Sequence, residues 1–162
     1  MAAWSAISWV EAGQILEFIG DAIDAAPYRE DLRKAPEQFF QRLLDQKNLH
    51  VATFFMGHAL PRYEGVVWAA RSLLDAGVID RSHPLTHSIL RWIDDPSDEL
   101  RRGIKTLADK EQGFTPVRML GLAVFVSGGS ISEPDLPPVL APADASPKLV
   151  SGAILAAAYA AA

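Results

Sequence analysis

Proline placement constrains this chain more than any other feature. Proline costs no hydrogen bond in the first turn of a helix, and a short polar residue before it satisfies the free N–H groups there. Asp95-Pro96, Thr115-Pro116 and Ser146-Pro147 have that form. Ala35-Pro36, Leu60-Pro61 and His83-Pro84 read as helix starts with weaker caps. Ser8 with Glu11 fits a capping box, and Gly77 and Gly113 each follow a helical pattern as a C-terminal cap does. Apolar residues between these marks recur at helical spacing. Examples are Ile15, Leu16, Ile19 and Ile23, then Leu85, Ile89, Trp92 and Ile93, then Met119, Leu120, Ala123 and Val124. Leu100, Ile104 and Leu107 make a narrow stripe, which predicts an outer helix. No segment alternates with period 2. The expectation is an all-α fold of about eight helices in stacked antiparallel hairpins.

The density of prolines rises after Gly129. Pro134, Pro137, Pro138, Pro142 and Pro147 fall within 14 residues. This run predicts an extended strap over residues 131–147, between a helical domain (1–130) and a short terminal helix (148–162) of the same domain. Ile131, Leu136, Val139 and Leu140 punctuate the strap. Either they cover a groove on the helices or they await a partner, and intramolecular docking is the expectation.

Composition narrows the function. At 162 residues, with 49% apolar and 22% charged residues, the chain is long enough to bury a core without staples. Its 15 basic and 20 acidic residues, net charge −5, argue against a nucleic-acid partner. Residues 61–118 carry 9 of each sign, so no basic field stands out, and Arg101, Arg102 and Lys105 read as a solvated face. No apolar run reaches the roughly 18–20 residues of a membrane span, so no membrane partner is expected. Without cysteine there is no thiol nucleophile and no thiolate metal site. The first residues lack a basic targeting region, so a cytoplasmic protein is expected.

Candidate chemistry is sparse. His83 and His87 have the i, i+4 spacing of metal ligands, but His83 precedes Pro84 and suits a cap. His50 and His58 read as structural. Ser127-Gly-Gly-Ser130 lacks the preceding strand and the lysine of a phosphate loop. Asp94-Asp95 and Asp98-Glu99 fit the start of a helix, where negative charge is stabilised. Trp68 and Trp92 read as core, whereas Trp4 could anchor a partner or fold back. No catalytic residue and no cofactor are expected.

Three pieces carry a resemblance. They are His58-Ala-Leu-Pro-Arg-Tyr-Glu64 with Trp68-Ala-Ala70, Asp95-Pro-Ser-Asp-Glu-Leu-Arg-Arg102, and Phe125-Val-Ser-Gly-Gly-Ser130 with Pro134-Asp-Leu-Pro-Pro138. From about residue 35 onward the chain resembles an uncharacterised helical bacterial family associated with type VI secretion gene neighbourhoods. The resemblance implies no activity and no catalytic residue. The leading reading is therefore a non-enzymatic module with a protein partner, an adaptor or chaperone in secretion. Trp4, Leu136, Val139 and Leu140 are its candidate contacts. The alternatives are a small metal-dependent or acid–base hydrolase using the histidines, and an immunity protein that binds a toxin.

Overall fold

A computed structural model describes residues 4–161. Residues 1–3 and 162, assigned from sequence to the helical domain and the terminal helix, lie outside the described residues. The described residues are all-α. By its internal contacts the chain divides into two compact units, Met1–Pro61 and Arg62–Ala162.

The first unit contains α1 (Ala12–Ile19), α2 (Pro36–Asp45) and α3 (Leu49–Ala59), with two 3₁₀ turns between α1 and α2. α3 packs on both α1 and α2. The expected capping box is displaced by three residues: the side-chain carbonyl of Gln14 accepts from the amides of Val10 and Glu11, both at 3.0 Å. The core is aromatic. Phe39 stacks edge-on against Tyr28 and Phe55, with centroids 5.3 and 4.9 Å apart. Asp31 is buried, and its carboxylate is neutralised by Arg42 and by Lys34 at 2.6 Å. Pairing of this kind is what makes a buried carboxylate tolerable.

The second unit contains α4 (Arg62–Asp75), α5 (Pro84–Asp94), α6 (Asp98–Lys110), α7 (Pro116–Phe125) and α8 (Ala145–Ala161). α6 packs between α5 and α7, and α8 packs on α4 and α7. Their shared core holds Val66, Leu73, Ile89, Ile104, Leu120 and Val150. Thr115 caps α7 as expected, accepting from the Arg118 amide at 3.3 Å. Gly77 and Gly113 both take left-handed φ values, 70° and 76°. The start of α6 moves: Ser97, not Asp95, is the cap, accepting from the Leu100 amide at 3.1 Å.

α8 is longer than the expected short terminal helix, at 17 residues. Pro147 lies inside its first turn, where a missing N–H breaks no helical bond. This frees Ser146 from capping, and its buried hydroxyl donates instead to the Ala123 carbonyl at 3.0 Å, tying α8 to α7. Among the described residues no helix is long and apolar enough to cross a membrane.

Candidate functional site

The strap between α7 and α8 departs most from its expected form. It is a closed loop rather than an extended ribbon. Ser130 and Leu140 form an isolated antiparallel bridge, and the Ile131 amide donates to the Val139 carbonyl at 2.8 Å. The Ser130 hydroxyl oxygen accepts from the amides of Ser132 (3.2 Å) and Val139 (3.0 Å). It also lies 2.8 Å from the Ser132 hydroxyl, which donates to the Pro137 carbonyl at 2.8 Å. Two serines thus replace the ladder that the prolines deny.

The loop is held from behind by two arginines of α6. Arg101 donates to the carbonyls of Phe125 (2.6 Å) and Ser130 (2.8 Å), and to one carboxylate oxygen of Asp98 at 2.6 and 3.1 Å. Its guanidinium also lies over the Phe125 ring, 4.9 Å from the centroid. Arg102 donates to the Ser132 carbonyl (2.8 Å), the Ser130 carbonyl (3.3 Å) and the second Asp98 oxygen (2.9 Å). The Phe125 carbonyl belongs to the last turn of α7, so Arg101 also places positive charge where the helix end is negative.

The expectation of a solvated basic face is corrected here, because Arg101 is buried, 4% exposed. Its position on α6 carried the signal: Arg101 precedes Ile104 by three residues and Ala108 by seven, so it shares their buried stripe. The reading of Asp98 as a helix-start charge is likewise incomplete, since both its oxygens are spent on the arginines. Those hydrogen bonds, Arg101 first and then Arg102, hold its carboxyl below the usual carboxylate range.

Gly129 completes the clamp. Its φ is 72°, and a Cβ there would lie 3.0–3.2 Å from Nη2, Cζ and Nε of Arg101. With the guanidinium fixed on four sides, only glycine lets the backbone pass so close. The motif pieces Asp95–Arg102, Phe125–Ser130 and Pro134–Pro138 are therefore parts of one construction.

Leu136, Val139 and Leu140 are open to solvent, whereas Ile131 edges the cleft beside α6. Leu136 is 54% exposed, Val139 51%, Leu140 74% and Ile131 37%. Expected docking of these residues onto the helices is corrected. The loop is fixed through its polar backbone, which turns its carbonyls toward the arginines and leaves Leu136, Val139 and Leu140 in water. Beside the loop lies a cleft of about 330 Å³, lined by Arg102, Lys105, Asp109, Phe125, Ser132 and Glu133. Its cations are already engaged, Arg102 as described and Lys105 with Asp109 at 2.5 Å.

The histidines are not brought together as a metal centre. The Leu85 amide donates to Nδ1 of His83 at 3.2 Å, so His83 is the cap of α5. Its Nε2 lies 3.1 Å from a Glu111 carboxylate oxygen, so both ring nitrogens face protein partners. His87 is exposed. His58 is buried, with Nδ1 2.8 Å from the Phe54 carbonyl and its ring edge-on to Phe18. Among the described residues no group of three or more potential ligands could hold a metal ion.

In the first unit, Trp4 folds back. It packs edge-on against Phe40, with centroids 5.1 Å apart, and with Ile7 it lines clefts of about 210 and 270 Å³.

Residues 39–162 match a family of unknown function (DUF6931). The chain belongs to this family. The matched region contains the whole arginine clamp and the loop, and it leaves Trp4 and α1 outside. No curated protein and no solved structure shows significant similarity to the chain.

Proposed function

We propose that this member of the DUF6931 family is a non-enzymatic protein-interaction module whose recognition element is the 130–140 loop. One observation carries the reading: three apolar side chains, Leu136, Val139 and Leu140, stand in water on a backbone held by buried and half-buried arginines. A flexible loop would lose conformational entropy on binding, whereas this one has already lost it on folding. Exposed apolar groups on an ordered loop are the usual makings of a contact. The engagement of both His83 nitrogens by protein groups also supports a non-enzymatic reading. The proposal extends to a role as adaptor or chaperone in type VI secretion, for which the sequence resemblance is the support.

The test is Leu136→Asp combined with Leu140→Asp. Because both side chains are exposed, the melting temperature should stay within about 2 °C of the parent. Delivery of a secreted effector by host cells should fall to that of a deletion strain. Normal delivery with a stable double variant would overturn the secretion role. Stoichiometric zinc in the purified protein, lost on His83→Ala, would overturn the non-enzymatic reading.

A further inference from the structure

The loop also carries a charge bias. Between Met119 and Pro147 the sequence has no lysine or arginine, but it has Glu133, Asp135 and Asp144. Asp144 pairs with Lys148 at 2.7 Å. Glu133 and Asp135 are exposed and lie within three residues of Leu136 along the chain. The cations behind the loop offset them only in part, because Arg101 and Arg102 share the one carboxylate of Asp98 and Arg101 is buried. The outer surface is therefore apolar with an acidic margin.

The backbone excludes one mode of recognition. A partner strand adding to the loop needs a row of free amides. Pro134, Pro137 and Pro138 have none. The amides of Ile131, Ser132, Leu136 and Val139 already donate within the loop, that of Leu136 to the Glu133 carbonyl at 3.0 Å. Recognition must run through side chains.

A second copy of this chain is also disfavoured as the occupant. A two-fold contact through the loop would bring two copies of the same acidic margin into one interface. With the chain already at net charge −5, like charges would meet at the rim.

Resting on the interaction reading above, we propose that the loop is a knob: Leu136 and Leu140 enter an apolar pocket of a different protein, and Lys or Arg at the pocket's rim meets Glu133 and Asp135. The pocket supplies burial for the leucines, and the rim supplies steering and orientation.

The experiment places a photo-crosslinking amino acid at position 136 of the full chain in host cells. Mass spectrometry then maps the residue it joins. The expected product is a heterologous adduct at an apolar residue with Lys or Arg beside it on the partner's surface. Glu133→Lys with Asp135→Lys should cut the yield about tenfold, and reversing the partner's basic residues to Glu should restore it. Glu133→Gln with Asp135→Asn should give a smaller loss without a repulsive charge, which keeps the test valid if the double lysine variant misfolds. If the adduct forms but neither pair of substitutions changes its yield by twofold, the basic rim is wrong and the interaction reading stands. An adduct only to a second copy of this chain would overturn the knob proposal. No adduct from position 136, or from 139 and 140 placed in turn, would overturn both.

Discussion

Two non-helical segments that hold candidate contact residues are fixed by opposite means. Residues 4–11, in the first unit, are anchored through side chains: Trp4 lies against Phe40, and Trp9 lies 5.7 Å from the ring of Phe18. The 130–140 loop, in the second unit, is anchored through its backbone by Arg101, Arg102 and Asp98. Whatever a segment spends on its own unit is unavailable to anything else. The first spends its aromatic rings and keeps little apolar surface beyond Val10. The second spends its carbonyls and keeps Leu136, Val139 and Leu140. A proline-rich, apolar sequence suits the second arrangement, because its carbonyls are intact while most of its amides are missing or internally bonded.

The largest expected effect tests the backbone anchor. Arg101→Ala removes the buried guanidinium that donates to the Phe125 carbonyl, leaving Arg102 alone to hold Ser130 and the exposed Asp98, and should cost about 2–3 kcal/mol in urea unfolding. Gly129→Ala attacks the same clamp from the other side. It should cost about 1–3 kcal/mol, from the left-handed backbone and the contact with a guanidinium that has nowhere to move. A loss under 1 kcal/mol for Arg101→Ala would mean that the loop holds itself and the contrast between the two segments is false.

Trp4→Ala probes the side-chain anchor. The ring is half-buried and makes one edge-on aromatic contact, so the loss should be about 1–2 kcal/mol by the same measurement. Tryptophan fluorescence of the Phe40→Ala variant should shift to the red, as the indole gains water. If Trp4→Ala proves costlier than Arg101→Ala, the ranking of the two anchors reverses.

The smallest effect is set by pH. The arginines depress the carboxyl of Asp98 below its unfolded value, so its stabilising contribution is complete above the ordinary carboxylate range near pH 4. That contribution is lost as pH falls through the folded value. Because Asp98 is largely exposed, screening keeps the effect modest. The amide resonances of Ser132 and Val139 should shift with the Asp98 titration below pH 4, while those of residues 4–11 should not follow it. Parallel movement of both sets would report global acid unfolding instead, and Asp98→Asn should remove the local shift altogether.

Helix positions were legible in this sequence because they depend on neighbours a few residues away. Pro36, Pro84 and Pro116 each open a helix where their fixed φ and missing N–H allow it, and the apolar stripes name Ile89, Ile104, Leu120 and Val124 as core. Errors at the starts of α1, α6 and α8 are also local in kind. Several capping residues lay within reach, and only packing, such as the Ser146 hydroxyl turning to Ala123, chose among them. The clamp was not legible in that way. The partners of Arg101 lie 24 and 29 residues downstream, at Phe125 and Ser130, and they are carbonyl oxygens that every residue possesses. Nothing in the letters marks which carbonyl a guanidinium will reach. The sequence by itself determined that the strap would be proline-rich, apolar and without regular structure. Only the tertiary structure decided which side of it would face the protein, because burying Arg101 required that its donors be met, and the nearest acceptors were the backbone of the loop.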